Sequence, residues 1–531
     1  MDSRIQQRNQ GFMQGPDLFS LRRRHEDFSV EIRKEQRYQQ AAKKRLLSQE
    51  SAAVPAESVS TASQSRNDAW VTEELRKVCS GLQGCGTNRD RLQVLYATLM
   101  SATPAEAHLI LIAIRHSTCR KPRPIEELVS LGYIPALLHL SNNEDTSISS
   151  EATWIISNIA SDQSRFTSAV VDQGGVDLYL SLATRSLHID TQEHVIWTLG
   201  NIAGDSIQCR DLLLSKGAHV ALCQLVATMQ YPLYAKVYRV ATWTLSNLIR
   251  GSPSPPIPVF AMVLDTISPL FRIKDHDLKL NLYYIIETTS AAGTEAGDQI
   301  LTRDFLQKVA RSVLSKRKLV ALTGLRTIGN IASGPEVHTD MLLSAGVLEK
   351  LLEVISSNDS QIRRTCLWIL SNMAAGSRLQ IEKVMSSAVA LLAIKAVEDI
   401  SEKVRVEASY FCYNIVKVGN STHHRKLITL GFVSHLKGGL RGSSPEAVFN
   451  LLIVTDALLT IGEMDAEELQ EGLNPTLLML QEYDCIEEIE RYRNSANEKI
   501  ARKAGGIVDK YLDKAVEEVE MREVPEEFQF S

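Results

Sequence analysis

A phrase that recurs about every 42 residues constrains the fold of this 531-residue chain more than any other feature. It places a bulky residue four positions before an Asn, as in "EATWIISNIASD", "EHVIWTLGNIAGD" and "CLWILSNMAAG". The steps between these Asn residues are 43, 46, 83, 42 and 42, for Asn158, Asn201, Asn247, Asn330, Asn372 and Asn414. The step of 83 spans two periods, with a degenerate copy at "NLYYIIETTSAAG". A unit of this length cannot bury its own apolar face, so each unit must stack on its neighbours.

A glycine keeps the same period. Gly132, Gly175, Gly217, Gly346 and Gly431 each precede an apolar segment with helical spacing, such as "GVLEKLLEVI". Helical repeats of roughly 40 to 47 residues are those of the armadillo and HEAT class. The sequence therefore predicts an all-α, right-handed armadillo-repeat solenoid of about ten repeats, with a long concave surface and almost no strand.

Composition divides the chain into four segments. Residues 1–45 hold 11 Lys/Arg and 6 Asp/Glu, although the whole chain has a net charge of −5. We predict a basic arm at 1–50, a flexible Ser- and Ala-rich linker at 51–69, the solenoid at 70–515 and an acidic tail at 516–531. A basic arm on an acidic body favours contact between the two.

Several protein classes lack support in the sequence. The chain has no run of eighteen apolar residues, so we expect no membrane-spanning helix. It has no apolar segment near its N-terminus, so we expect no secretion signal. Its eight cysteines stand singly, which favours free, buried thiols over a disulfide framework or a zinc site. No phosphate-binding loop, nucleophile elbow or zinc-protease motif occurs, so we expect no catalysis, no cofactor and no metal.

The paired Trp and Asn residues have two interpretations. Residues i and i+4 share a helix face, so each pair presents an indole beside an amide: Trp154/Asn158, Trp197/Asn201, Trp243/Asn247 and Trp368/Asn372. In the first interpretation the Trp packs in the core and the Asn satisfies a neighbouring helix end. In the second, Asn recurs despite a helix cost of ~0.5 kcal/mol, because the amides bind an extended peptide and the indoles flank its Lys or Arg side chains. Asp205 and Glu407, near the pairs in sequence, favour a basic peptide.

The order of these pairs resembles importin α, the adaptor that carries proteins with nuclear localisation signals. The shared order is Trp/Asn in three successive repeats, a degenerate repeat, Arg326/Asn330, and then Trp368/Asn372. The resemblance implies a major signal-binding site formed by Trp154, Asn158, Thr167, Trp197, Asn201, Asp205, Trp243 and Asn247. In it, Thr167 and Asp205 would contact the key lysine of the signal.

The resemblance also implies a minor signal-binding site, formed by Arg326, Asn330, Trp368, Asn372, Glu407, Tyr410 and Asn414. Two departures from the family pattern affect this end. Tyr410 stands where the family has Trp in the eighth repeat, and either Tyr283 or Tyr284 occupies the fifth. We therefore expect poorer discrimination of bipartite signals.

The basic arm contains the segment "LRRRHEDFSVEIRKEQRYQQAAKKRLL". By itself it is compatible with a solvated basic helix or a nucleic-acid-binding arm, although four interleaved acids argue against nucleic acid. It resembles the importin-β-binding domain of importin α, with basic clusters at Arg22, Arg23, Arg24 and at Lys43, Lys44, Arg45. The resemblance implies that the second cluster mimics cargo and, being tethered, competes for the groove, which is autoinhibition.

The family resemblance implies further partners. An export receptor would recognise the C-terminal end, and the protein would shuttle between cytoplasm and nucleus through nuclear pores without binding nucleic acid or membrane directly. The alternative is an armadillo scaffold or chaperone that binds other extended peptides. The basic arm combined with regular Trp/Asn pairs favours the import adaptor.

Overall fold

The computed structural model describes residues 72–83, 85–119, 122–185, 188–302, 304–442, 444–469 and 474–512. Within these ranges the chain is helical with connecting turns, and no strand occurs. The predicted basic arm with its two clusters, the linker and the acidic tail lie outside the described residues. The described chain forms two compact units that meet between Ala292 and Gly293.

The first unit is built from short and long helices in succession. They are α1 Glu73–Val78, α2 Asn88–Leu99, α3 Pro104–Cys119, α4 Ile125–Ser130, α5 Tyr133–Ser141, α6 Thr146–Ile159, α7 Ser164–Asp172, α8 Gly175–Ala183, α9 Ile189–Ala203, α10 Ile207–Ser215, α11 Ala218–Thr228, α12 Ala235–Leu248, α13 Ile257–Ile267 and α14 His276–Ala291. Two 3₁₀ turns are interspersed, at Ser80–Leu82 and Ser268–Arg272.

The second unit continues the same succession. Its helices are α15 Thr294–Leu301, α16 Phe305–Ser312, α17 Lys318–Ala332, α18 Glu336–Ser344, α19 Val347–Val354, α20 Ser360–Ala374, α21 Arg378–Met385, α22 Val389–Lys395, α23 Glu402–Val418, α24 Ser421–Thr429, α25 Phe432–Leu440, α26 Pro445–Leu469, α27 Pro475–Glu482, α28 Ile486–Arg491 and α29 Glu498–Ile507. Short turns follow α22, α28 and α29, at Ala396–Glu398, Tyr492–Asn494 and Val508–Leu512.

Three consecutive helices make one repeat, and the third is the stacking element. In the first unit α3, α6, α9, α12 and α14 each pack on the next. In the second unit α17, α20, α23, α26 and α29 do the same. The described residues thus hold ten repeats, in agreement with the predicted period, and the all-α repeat architecture is confirmed.

The core explains why these segments stack. In the third helices the residue ten positions after the first is fully buried: Ile156, Leu199, Leu245, Ile286, Ile328, Leu370 and Cys412. The residue four positions earlier is small in most repeats, which allows close approach: Ala152, Ala241, Gly324, Cys366 and Ala408. All eight cysteines are free, as predicted, and six of them are buried. Burial raises the pKa of the Cys366 and Cys412 thiols, so they remain protonated packing groups.

The periodic glycine marks the turn between the first two helices of a repeat. It adopts a positive φ, between 72° and 89°, at Gly132, Gly174, Gly217, Gly346 and Gly431. Because this left-handed backbone favours residues without a Cβ, the sequence needs glycine there. In the third repeat the positive φ belongs to Gly174, one position before the glycine of the sequence pattern, and Gly175 is the first residue of α8.

The degenerate fifth repeat has one helix, α13, before its third helix α14, and α13 packs on α11, the second helix of the fourth repeat. The 3₁₀ turn Ser268–Arg272 follows α13 directly and contains Pro269, which has no backbone N–H to donate. The third helix, α14, is nevertheless firmly started. Asp275 caps it, accepting hydrogen bonds from the backbone N–H groups of Asp277 and Leu278 at 3.0 and 2.9 Å.

Helix α26 is apolar enough, by length and composition alone, to cross a membrane. In the structure 61% of its apolar window is buried. It packs on α23, α24, α25, α27 and α29, as expected of the central helix of a solenoid end.

Two glycines within third helices contact the next repeat. Gly200 in α9 lies against the ring of Trp243, and Gly329 in α17 lies against the ring of Trp368. A Cβ at either position would overlap the indole. The helix therefore carries a residue that costs ~1 kcal/mol relative to Ala because the neighbouring Trp needs the space.

Replacing Gly200 or Gly329 with Ala is expected to destabilise the protein by ~1–3 kcal/mol, since the indole must shift in a packed interface. Thermal unfolding monitored by circular dichroism measures the effect. The control is Gly506→Ala in α29, where no atom lies within 4 Å of the new Cβ. That variant should gain up to ~1 kcal/mol from helix propensity. Equal shifts for the three variants would contradict the packing role.

Asp275 supports a second stability prediction. Its carboxylate lies 2.7 Å from Nη2 of Arg239, and the two side chains are 3% and 41% exposed. Burial alone would raise the pKa of Asp275, but the Arg239 guanidinium and two backbone N–H groups hold it below its ordinary value. A carboxyl with a depressed pKa stabilises the fold above its ordinary pKa and loses that contribution as the pH falls.

Asp275→Asn keeps the helix cap but removes the negative charge that pairs with Arg239. The free energy of unfolding should fall by only about 1 kcal/mol at pH 7, because solvent screens the partly exposed Arg239. The difference from the unsubstituted protein should begin to shrink as the pH falls below about 4, the ordinary pKa of Asp in the unfolded chain, and should continue to shrink as the pH approaches the lower pKa of the folded state. Unfolding midpoints measured from pH 7 to pH 3 test this. A difference that is constant across the range would contradict the assignment.

Candidate peptide-binding ladder

The predicted pairs occupy one fixed register in the third helices. The bulky residue is always eight positions, and the Asn twelve positions, after the first residue of the helix. We call each such pair a rung: Trp154/Asn158 on α6, Trp197/Asn201 on α9, Trp243/Asn247 on α12, Arg326/Asn330 on α17, Trp368/Asn372 on α20 and Tyr410/Asn414 on α23. In α14 the same count places Tyr284 at the first position and Thr288 at the second. The choice left open between Tyr283 and Tyr284 therefore falls on Tyr284.

The structure groups the rungs by unit. The predicted major-site residues all lie in the first unit, and the predicted minor-site residues all lie in the second. Within each unit, successive third helices pack side by side, so successive rungs become neighbours in space.

The Asn side chains are bonded to the preceding repeat. The amide nitrogens of Asn201 and Asn247 donate to the carbonyls of Ser157 and Gly200, each at 3.0 Å. Asn372 and Asn414 make the corresponding bonds to Gly329 and Ser371, at 3.4 and 2.8 Å. In each case the acceptor is the residue eleven positions into the preceding third helix. Asn158, on the first rung, donates to Thr118 Oγ1 instead, at 2.8 Å.

This bonding supports the first interpretation of Asn in part, because the amide does satisfy a neighbouring helix. It also limits what the second interpretation can use. An Asn side chain has two N–H donors and one carbonyl acceptor. Among the described residues the Oδ1 of Asn201 is buried and has no hydrogen-bond partner. A buried acceptor without a partner costs about 1–3 kcal/mol, which a ligand N–H would recover.

The central indoles form a close pair. The ring centroids of Trp197 and Trp243 are 6.1 Å apart, with an angle of 54° between the planes. Trp197 is partly exposed, whereas Trp243 is only 8% exposed because it lies over Gly200. The hydroxyl of Thr244, beside Trp243, donates to the carbonyl of Ile196 at 3.1 Å and fixes α12 against α9. The aromatic surface presented here is rigid.

The first rung differs from the others. Cζ of Arg115, on α3, lies 4.4 Å from the Trp154 ring centroid. The ring of His194, on α9, lies 4.6 Å from Trp154, tilted by 32°. Arg115 is also bonded to Glu151, with Nε and Oε2 2.5 Å apart. Sequence reasoning missed Arg115 and His194, because they approach Trp154 from the neighbouring helices α3 and α9, and it missed Glu151, whose partner Arg115 is 36 residues away.

The two residues predicted to contact a lysine have different surroundings. Asp205 is partly exposed at the end of α9, where its Oδ1 accepts from the hydroxyl of Ser164 at 3.0 Å. Thr167 is fully buried, and its hydroxyl donates to the carbonyl of Ala160 at 3.1 Å. The carboxylate of Asp205 is thus available at the surface, whereas the Thr167 side chain is not.

In the second unit the predicted minor-site carboxylate already has a partner. Oε1 of Glu407 accepts from Nε of Arg364 at 3.1 Å, and the two side chains are 9% and 35% exposed. The hydroxyl of Tyr410 donates to Glu446 on α26. Burial, together with this negatively charged neighbour, raises the pKa of Tyr410 above its usual range. Arg326 is 3% exposed, so its guanidinium is largely enclosed.

The sequence did contain a signal for the two glycines that contact the next repeat. The phrases "LGN" and "IGN" place Gly200 and Gly329 directly before the rung Asn, and the next Trp requires that space. Arg364 gave no such signal, because its partner Glu407 is 43 residues away. Within the described ranges, no cluster of three or more His, Cys, Asp or Glu side chains could hold a metal ion.

Comparison with protein families gives two matches. The importin beta binding domain matches residues 9–94, and the armadillo/beta-catenin-like repeat matches residues 121–161, 163–204 and 335–375. Each armadillo match covers one three-helix repeat of the structure: α4 to α6, α7 to α9 and α18 to α20. The boundaries of the repeats in the structure and in the family agree.

Curated relatives carry importin names. Importin subunit alpha-1b of Oryza sativa subsp. japonica is 32% identical over 219 residues, which are 41% of this chain and 40% of that protein. Importin subunit alpha-1a of the same plant is 28% identical over 341 residues, covering 64% of this chain and 60% of that protein. Importin subunit alpha-2 of Arabidopsis thaliana is 33% identical over 258 residues, covering 48% of this chain and 44% of that protein. The chain thus matches less than two thirds of the length of each.

A solved structure supports the fold. The crystal structure of an engineered protein superimposes with a TM-score of 0.67 over 80% of this chain and 98% of that one, at 19% identity. The chain therefore combines a match to the importin beta binding domain, armadillo repeats, and similarity to proteins named importin subunit alpha.

Proposed function

We propose that the chain is a nuclear import adaptor, which binds Lys- and Arg-rich localisation signals on its ladder and links the cargo to importin β. The main support for this proposal is that two features occur in the same chain. An importin beta binding domain matches residues 9–94, and a regular Trp/Asn ladder follows on stacked third helices. A general peptide scaffold needs neither the first feature nor their combination.

The ladder geometry suits an extended peptide. Rungs on neighbouring helices repeat at the helix packing distance of roughly 8–10 Å, a distance that an extended chain, at about 3.4 Å per residue, covers in two to three residues. The Asn201 Oδ1, without a partner in the described residues, accepts a backbone N–H of the signal. The indoles of Trp197 and Trp243 flank the stem of a Lys or Arg side chain. Asp205 binds the ammonium group.

The basic arm gives the adaptor its regulation. By the family resemblance, residues 1–50 bind importin β, and the cluster at 43–45 competes with cargo for the major site. A linker of about 20 residues keeps that cluster at an effective concentration near the millimolar range. Importin β removes the arm, so cargo binding and importin β binding favour each other.

The remaining partners follow from the same proposal. An export receptor recognises the C-terminal end and returns the adaptor from nucleus to cytoplasm. The alternative, an armadillo scaffold outside nuclear transport, would use the same ladder for other extended peptides. The import adaptor and the scaffold differ in one testable respect: only in the adaptor should peptide binding depend on basic residues of the peptide and on importin β.

The first test is the affinity of a fluorescent Pro-Lys-Lys-Lys-Arg-Lys-Val peptide, measured by fluorescence anisotropy with the full chain and with residues 51–531. Asn201→Ala removes the acceptor and Asp205→Lys reverses the charge. Each is expected to weaken binding at least about tenfold, the effect of losing a hydrogen bond or ion pair to a charged or buried group.

Matched controls separate binding from folding. Asn281→Ala also removes an Asn amide that bonds to the preceding third helix, at Arg239 O, but this Asn is not on a rung. Asp177→Lys reverses an exposed carboxylate on a second helix. Both should keep the peptide affinity. Full affinity in Asn201→Ala and Asp205→Lys would refute the site assignment.

The second test concerns autoinhibition. Deleting residues 1–50 should raise the affinity for the signal peptide about tenfold or more, because the tethered competitor is lost. Replacing Lys43, Lys44 and Arg45 with Ala in the full chain should give the same gain, and adding importin β to the full chain should approach it. An unchanged affinity after the deletion would contradict autoinhibition.

A further inference from the structure

The carboxylate of Asp205 is held by a hydroxyl from another helix. Ser164 is the first residue of α7, and its Oγ donates to Oδ1 of Asp205 at 3.0 Å. Ser164 is exposed and Asp205 is partly exposed, so this hydrogen bond lies at the surface of the first unit. It joins the two ends of the third repeat, because α7 is the first helix of that repeat and Asp205 follows the C-cap of its third helix, α9.

The main chain on both sides of Asp205 is fixed. The backbone N–H of Asp205 donates to the carbonyl of Ile202, in the last turn of α9, at 3.2 Å. The next residue, Ser206, caps α10, because its hydroxyl accepts from the N–H of Cys209 at 3.2 Å. Two helix ends therefore set the position of the Asp205 main chain, and the rotation of its side chain is the freedom that remains.

The donor of this hydrogen bond is fixed as well. The carbonyl of Gln163, the N-cap of α7, accepts from the N–H groups of Phe166 and Thr167 at 2.8 and 3.3 Å. The Thr167 hydroxyl donates to the carbonyl of Ala160, which ties the first turn of α7 to the end of α6. Ser164 therefore presents its hydroxyl from a rigid helix start.

A hydroxyl donor restricts the rotation of a carboxylate without cancelling its charge. The χ1 torsion of an unrestrained Asp side chain has three staggered wells. If the three wells were equally populated and a cation could bind only one of them, the apparent affinity would be about threefold lower than for a carboxylate already held in that well. A carboxylate that is held in place before the ligand arrives spares the ligand this cost.

The preceding repeat holds its carboxylate in a different way. Asp162 and Asp205 share one register, each sixteen positions after the first residue of its third helix. Oδ2 of Asp162 lies 3.1 Å from Nη2 of Arg123, and the two side chains are 19% and 24% exposed. The charge of Asp162 is thus matched by a cation of the protein, whereas Asp205 is oriented by a neutral group.

Resting on the proposed function, we infer that Ser164 is a positioning residue of the signal-binding site. Its hydroxyl holds the Asp205 carboxylate in the conformer that receives the ammonium group of a signal lysine. Ser164 acts through Asp205 rather than by contact with the peptide.

Substitutions of Ser164 test this inference with the fluorescent Pro-Lys-Lys-Lys-Arg-Lys-Val peptide. They are made in the full chain with Lys43, Lys44 and Arg45 replaced by Ala, so that the basic arm does not compete for the site. Ser164→Ala removes the donor and is expected to weaken binding about threefold, because the carboxylate then samples all its wells. Ser164→Thr keeps a hydroxyl at the same position and should keep the affinity.

The matched control is Ser360→Ala in the second unit. Ser360 is also an exposed serine at the first position of a helix, α20. This variant makes the same change in helix propensity at a distance from Asp205, and it should leave the peptide affinity unchanged. Thermal unfolding shows whether each variant is folded.

A double-mutant cycle separates positioning from an effect on the fold. In an Asp205→Ala background the hydroxyl has no carboxylate to orient, so Ser164→Ala should cause no further loss of affinity. A change that acted through the fold would cost the same in both backgrounds, because independent effects add. The loss should also disappear with the peptide variant in which the lysine coupled to Asp205 is replaced by Ala.

The outcomes distinguish this inference from the proposed function. An unchanged affinity in Ser164→Ala, or an equal loss in the Asp205→Ala background, would overturn the positioning role and leave the adaptor function standing. A loss in Ser164→Thr as large as that in Ser164→Ala would also overturn it, because the hydroxyl would then not be the group responsible. If no basic peptide binds to any form of the protein, the proposed function fails and this inference fails with it.

Discussion

The hydrogen bond from a rung Asn to the main chain of the preceding third helix is the contact on which the ladder depends. It joins Asn247 to Gly200 and Asn414 to Ser371, in each case eleven positions after the first residue of the earlier helix. Because the amide is held from behind, its rotation is restricted and its remaining polar atoms point in a defined direction. A ligand that binds an oriented amide loses less conformational freedom than one that must order it.

The same positions serve the fold and the proposed binding. Trp243 and Trp368 pack on Gly200 and Gly329, the residues directly before the Asn of the previous rung, where the absence of a Cβ lets the ring lie directly on the helix. The exposed part of the indole then forms a rigid wall for a side chain. A mutation of the Trp alone would therefore change both the stacking of the repeats and the proposed binding of a peptide. Mutations of the rung Asn or of Asp205 should change binding with less effect on packing.

The rungs are chemically unequal although the sequence repeats them. Trp154 is enclosed by Arg115 and His194, and Glu407 is neutralised by Arg364. At both positions an arginine of the protein itself lies against the group. Under the proposed function, electrostatic selection of a basic peptide would therefore centre on Asp205, whose carboxylate is bonded to a neutral hydroxyl in the described structure.

Residue spacing along one helix, or between copies of it, was enough to predict the period, the helical class and the register of the Trp/Asn pairs. The three-dimensional structure was needed to show that Tyr284, not Tyr283, continues the rungs and that the Asn amides bond back to the preceding repeat. It also decided which carboxylates meet an arginine. These outcomes depend on side chains some 36 to 48 residues apart that approach across a helix interface, as Arg115 approaches Glu151 and Thr244 approaches Ile196. The periodicity of one helix fixes which face a residue occupies, whereas the partner on the adjoining helix depends on packing in three dimensions.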